Sequence, residues 1–193
     1  MSLEGPAEGR IGGAFADTAR APTDGKEKMT DRAPKAIQDF YPDDFATCYG
    51  CGRLNSRGLH VRSSWDGEET VAHFTPRAEH MAMPGFVYGG LIASLIDCHA
   101  MGTAAAASER ADGREIGAAP APRFVTGSLH VDYLKPTPLG PELELRARVT
   151  HAAARKSLVT VTVTVGGTVT ARGEVVAVRI PASMAQRDSS ANP

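Results

Sequence analysis

The stretch Pro84–Ala107, PGFVYGGLIASLIDCHAMGTAAAA, constrains what this chain can fold into more than any other. A Pro-Gly turn signal and the Gly89–Gly90 pair lead into an apolar run long enough for a central helix. Leu91, Ile92, Leu95, Ile96 and Met101 cover most of such a helix. Gly90, Ala93 and Ser94 fall one or two turns before Asp97 on its own side. Asp97 is the one acid in the run. A carboxylate on an otherwise buried helix costs free energy unless something solvates it, binds it or uses it.

The flanking sequence reads as strands. Leu59–Trp65 and Thr70–Thr75 alternate around Asp66-Gly67, a hairpin signal, and Pro76 stops the second strand. Arg77–Met83 is a loop that carries His80. Beyond the helix, Gly113 is a plausible terminator. Arg123–Leu134, Glu142–His151, Leu158–Val165 and Thr170–Ile180 then read as four strands, the third of them an alternating V-T-V-T-V. Two strands, one long helix and four strands predict an α+β fold. One helix cannot cover both faces of so wide a sheet, so the expectation is an antiparallel sheet curled around the helix. Its other face or an edge is then used for oligomerisation.

With 193 residues, 42% of them hydrophobic, the chain can build one core, placed at 37–181 between a loosely patterned leader (1–36) and a polar tail (182–193). A net charge of −1 argues against nucleic acid or an anionic membrane as partner. The apolar run Leu91–Ala107 is too short, and too interrupted by Asp97 and His99, for a membrane span. Three cysteines make no disulfide framework, and a reduced, cytoplasmic protein is expected. Cys48-x-x-Cys51-Gly52 is half of a zinc knuckle. Cys98 and His60 are the only obvious further candidates and no second close pair exists, so no metal is expected.

Three segments resemble the hotdog-fold acyl-CoA thioesterases, in particular the phenylacetate-pathway and mitochondrial thioesterase-superfamily branch. They are Gly89-Gly90 through Asp97, the strand Thr126–Tyr133 with Leu134-Lys135-Pro136, and the lead-in Cys51-Gly52-x-x-Asn55-x-x-Gly58-Leu59. The family commonly has His-Gly-Gly where this chain has Tyr88-Gly89-Gly90.

The resemblance implies thioester hydrolysis without a separate cofactor, coenzyme A being part of the substrate. Asp97 is implied as general base or nucleophile, and Thr126 as the strand hydroxyl that assists the Asp or the water. Amides at Gly89 and Gly90 would receive the oxyanion, with Tyr88 in place of the histidine. It also implies a homodimer or dimer of dimers, in which the glycine turn of one subunit faces the Asp of the other. Arg123, Lys135, Arg155 and Lys156 are the cations available to coenzyme A, and His80 is a candidate at the pocket mouth. His99, two residues beyond Asp97, is off its helix face and reads as a core or interface residue. A non-catalytic acyl- or aromatic-CoA binding protein and an enoyl-CoA hydratase are the alternatives.

Overall fold

The structure, a computed structural model, describes residues 35–118 and 121–181. All but Lys35 and Ala36 of the expected leader, and the whole expected tail, lie outside the described residues.

Two short 3-10 helices, Ile37–Phe40 and Asp43–Phe45, precede the hairpin β1 (Ser63–Asp66) and β2 (Glu69–Phe74). Gly67 makes that turn at φ 63°, where a side chain would be strained. A small ribbon, β3 (Met81–Met83) with β4 (Phe86–Val87), leads into helix α1 (Gly89–Ala111). Four strands follow: β5 (Phe124–Tyr133), β6 (Leu143–Ala152), β7 (Lys156–Val165) and β8 (Thr168–Arg179).

The main sheet is antiparallel and six-stranded, in the order β1-β2-β6-β7-β8-β5. The alternation of β7 buries Ser157, Val159, Val161 and Val163 toward α1. Leu143, Leu145 and Ala147 of β6 and Ala171, Val175 and Ala177 of β8 share that face by register and are likewise buried. Leu95 and Ile96 of α1 are fully buried against them. Helix and sheet pack tightly at Gly173, where an added Cβ would come within 2.4 Å of Ile96 Cγ2.

The sheet is not curled around the helix, contrary to the sequence expectation. It is open, with β1 and β5 left as edges, and α1 lies against one face. The reason lies upstream of β1. Residues 36–61 cover the far side of the helix, so the sheet need not wrap around it. Ala36, Ile37, Ala46, Cys51, Leu59 and Val61 are all buried, although they follow neither helical nor strand periodicity. A buried polar chain fastens this segment. Gln38 Nε2 donates to Ser63 Oγ (3.1 Å), and Ser63 N donates to Gln38 Oε1 (2.7 Å). His99 continues the chain, with Nδ1 2.8 Å from Ser63 Oγ and Nε2 3.3 Å from the Thr70 carbonyl.

Helix α1 runs to Ala111 and stops at Gly113 (φ 67°), the terminator expected from the sequence. Its 23 residues are long and apolar enough to cross a membrane by length and composition, but 61% of the apolar window is buried inside the protein. That burial is the pattern of a core helix.

Strand β5 carries a bulge at Gly127. Thr126 pairs with Ala177 and Ser128 with Val176, so one extra residue is accommodated between them. A Cβ at Gly127 would sit 2.7 Å from Val178 Cγ2. The bulge switches the strand's parity. Thr126, Leu129, Val131 and Tyr133 oppose inward positions of β8, whereas Ser128 opposes Val176 on the other face.

Candidate active site

Asp97 occupies the middle of α1, next to the fully buried Ile96 and facing the start of β5. There the Thr126 hydroxyl donates a short hydrogen bond to Asp97 Oδ1. Burial pushes the Asp97 carboxyl above its ordinary range, and the Thr126 bond pulls partly against that shift. Ser128 reads as a rival hydroxyl if β5 alternates without interruption; the bulge places it on the opposite face.

Both residues line a cavity of about 310 Å3 that also receives Cys48, Cys51, Cys98 and Arg123. The Arg123 guanidinium stacks between Tyr41 (4.7 Å) and Phe45 (4.4 Å). Its Nη2 is buried without a hydrogen-bond partner among the described residues. Desolvation holds the Arg123 pKa below its ordinary value. In the sequence Tyr41 and Phe45 read, with Ile37 and Phe40, as apolar groups able to dock on a core; in the structure both line the cavity. Their aromatic spacing close to a CxxC turn is the available signal.

The glycine turn is elsewhere. Tyr88 is the N-cap of α1 and its side chain is 58% exposed. The ring lies over Gly90, where an added Cβ would come within 2.4 Å of Tyr88 Oη. The Leu91 and Ile92 amides donate to the Tyr88 carbonyl, at 3.0 and 3.4 Å. The Gly89 and Gly90 amides are left without a protein acceptor among the described residues. Tyr133 Oη donates to the Gly89 carbonyl (2.8 Å), tying the turn to the far end of β5. Asp97 stands seven residues beyond Gly90, a rise of roughly 10 Å along one helix. Within one chain, the structure does not bring the carboxylate and these amides to a common point.

The cations divide the same way. Ile180 N donates to the Arg123 carbonyl and Arg179 N to the Arg155 carbonyl, each at 2.8 Å. Arg123, Arg155 and Lys156 therefore share one end of the sheet with Arg179, a cation missed in the sequence although it ends the last strand. Lys135 is at the other end, where its amide donates to Thr170 O (3.1 Å). The ten residues of β5 separate the two ends by roughly 30 Å. His80 is buried, accepts from Arg77 N (3.0 Å) through Nδ1 and lies 5.5 Å from the Phe74 ring. It supports the turn, and its carbonyl accepts from Tyr88 N (2.8 Å).

A long helix on one face of an antiparallel sheet, with its N-terminus at a glycine turn and a carboxylate in mid-helix, defines the hotdog class of α+β proteins. Within that class, the chain belongs to the thioesterase superfamily. The family model described as "Thioesterase superfamily" matches residues 84–172. A thioesterase superfamily protein from Shewanella loihica PV-4 is similar at 45% identity, over 73% of this chain and 100% of that one, with a TM-score of 0.56. The PaaI protein of the E. coli phenylacetic acid degradation operon shares the fold at 18% identity, over 64% of this chain and 81% of that one (TM-score 0.53). A Streptococcus mutans UA159 protein solved with acetyl CoA also shares it, at 19% identity over 66% and 96% (TM-score 0.51). No curated protein sequence matches the chain.

Proposed function

We propose that the protein hydrolyses coenzyme A thioesters at a site shared between two copies of the chain. The single observation that carries the reading is the half-buried Asp97 carboxylate, held by Thr126 at the wall of a cavity, in a member of the thioesterase superfamily. Asp97 takes a proton from water as its oxygen attacks the thioester carbon. The oxyanion is received by the amides of Gly89 and Gly90 at the helix N-terminus, where the dipole favours negative charge. The C–S bond then breaks, the Asp97 carboxyl gives the proton it took to the leaving sulfur so that coenzyme A departs as thiol, and the acid is released.

The second copy is required by distance, and β5 supplies the means. Its outer edge is unpaired among the described residues, and Val125, Leu129 and Tyr133 on it, with Leu134 just beyond, are 38–53% exposed. Two such edges pairing antiparallel set the Thr126 end of one strand beside the Tyr133 end of the other. Tyr133 is bonded to Gly89, so the glycine turn of one copy approaches Asp97 of its partner. The same pairing brings Lys135 of one copy toward the Arg123, Arg155, Lys156 and Arg179 end of the other. Those cations suit the phosphates of coenzyme A, with Arg123 Nη2 as the free donor nearest the cavity. A homodimer, or a dimer of two such dimers, follows.

The test is thiol release from a panel of acyl-CoA substrates, alongside light scattering. Turnover by an oligomer is expected. Tight binding without thiol release would replace the reading by an acyl-CoA binding protein, for which Tyr88 in place of the family's histidine is the favouring observation. Water addition to an enoyl-CoA would replace it by a hydratase.

A further inference from the structure

The sequence expectation of no metal rests on the lack of a second ligand pair beside Cys48 and Cys51, and the fold supplies a third thiol from α1. We propose that Cys48, Cys51 and Cys98 form a three-thiolate site for zinc(II), with the fourth coordination position open to the Asp97 cavity. All three sulfurs lie within 4.8 Å of one another, and Cys48 Sγ is 3.8 Å from Cys98 Sγ. Zinc–thiolate bonds of about 2.3 Å at tetrahedral angles put neighbouring sulfurs about 3.8 Å apart.

The surrounding backbone is shaped to that cluster. The chain reverses tightly between the two loop cysteines, with Gly52 N donating to the Cys48 carbonyl (2.8 Å) and Leu54 N to the Ala46 carbonyl (2.9 Å). A Cβ at Gly52 would lie 2.4 Å from Cys48 N and 2.5 Å from Ala46 O, so only glycine closes this turn. At Gly50 a Cβ would lie 2.1 Å from Cys98 Sγ. The helix thiol reaches the loop only because position 50 has no side chain. Glycine is thus placed both to make the knuckle and to admit a third sulfur from elsewhere in the chain. Three thiols around one centre exceed what a disulfide uses, since a bridge joins two and strands the third. Three soft donors in this arrangement select a soft or borderline divalent ion, and tetrahedral sulfur-rich sites are characteristic of zinc. All three cysteines line the cavity that holds Asp97, which leaves solvent access for a fourth ligand.

The test uses the full chain, expressed with zinc in the medium and purified under reducing conditions without metal-affinity resin. Elemental analysis is expected to find stoichiometric zinc. After chelation, cobalt(II) alone added to the reduced protein is expected to give the thiolate charge-transfer band and the intense visible bands of a tetrahedral site, saturating at one equivalent. Cys48→Ser and Cys98→Ser should each lose more affinity than the roughly 10–100-fold caused by losing an outer-shell partner. Gly50→Ala keeps every thiol but displaces Cys98, and should also weaken binding; it keeps the test decisive if a cysteine variant fails to fold. Zinc-free protein with three titratable thiols and no cobalt charge-transfer band would overturn the proposal. So would an intact mass showing one cysteine pair already bridged after reducing purification, or affinity unchanged in Cys98→Ser.

Discussion

Thr126 on β5 and Asp97 on α1 are joined by a short hydrogen bond in which the hydroxyl donates and the carboxylate accepts. The bond spans the helix–sheet boundary, and the Gly127 bulge sets which hydroxyl can make it. Replacing Thr126 by Val removes the donor while keeping the β-branched shape. Hydrogen bonds to charged groups are worth about 1.5–3 kcal/mol. At a part-exposed position the lower end applies, so a loss of roughly 10-fold in kcat/KM is expected. Thr126→Ser should recover most of it. A Thr126→Val enzyme with unchanged kcat/KM on the best acyl-CoA would show the bond to be structural only.

Asp97→Asn keeps the size of the side chain and its capacity to accept from Thr126 but removes the base. Fold and assembly should persist, while kcat falls by roughly 10²–10⁴-fold. Tyr88→Phe leaves the Gly89 and Gly90 amides in place and should do less harm. Steady-state kinetics on both variants, with light scattering as a control, decide the matter. A larger loss for Tyr88→Phe than for Asp97→Asn would move the chemistry to the helix start.

A site divided between copies can be rebuilt from two broken ones. Asp97→Asn lacks the base. Gly90→Val should block a thioester from the helix-start amides, because its side chain fills the space beside them and displaces the exposed Tyr88 ring. Unfolded and refolded together, the two variants should regain roughly a quarter of wild-type activity, since half of randomly mixed dimers carry one intact site of two. Recovery no greater than the sum of the separate variants would mean that each chain works alone. Leu129→Glu on the open edge of β5 should yield monomers and abolish turnover together.

His99 makes stability depend on pH. Burial holds its pKa down at about 4, and its neighbours Ser63, Thr70 and Thr103 are all neutral. The folded pKa lies below the unfolded value, so the unfolded chain binds the extra proton. The contribution is fully present above about pH 6.5 and is lost as pH falls toward about 4, amounting to about 3 kcal/mol. Urea denaturation at several pH values, with chelator present to remove any thiolate–metal contribution, should show this slope. His99→Gln should flatten it even if overall stability drops; an unchanged slope in that variant would assign the dependence to other groups.

The V-T-V-T-V of β7, the Gly89–Gly90 start of α1 and the Asp66-Gly67 turn were legible because each follows from local geometry: two-residue alternation, helix initiation and positive φ. What was not legible depends on pairs distant in sequence. The cover over α1 comes from residues 36–61, whose buried groups obey no period, and without that cover a curled sheet was the natural inference. Gly127 signals an irregular strand, but the side to which Ser128 is sent emerges only from its pairing with Val176. In the site, Asp97 stood out as a carboxylate in an apolar run. The stacking of Arg123 between Tyr41 and Phe45 could not, because three separate segments meet there.

Gly173 touches no candidate site residue, yet it governs how deep the carboxylate is set. Ile96 seats on the space where Gly173 has no side chain, and Asp97 is the very next residue of the helix. The gap between helix and strand β5 that Thr126 must bridge is therefore calibrated from a neighbouring strand, by a methyl group left out. A chain that acquired alanine at position 173 would keep every reactive group and lose their alignment, much as a lens keeps its glass when its mount is shimmed.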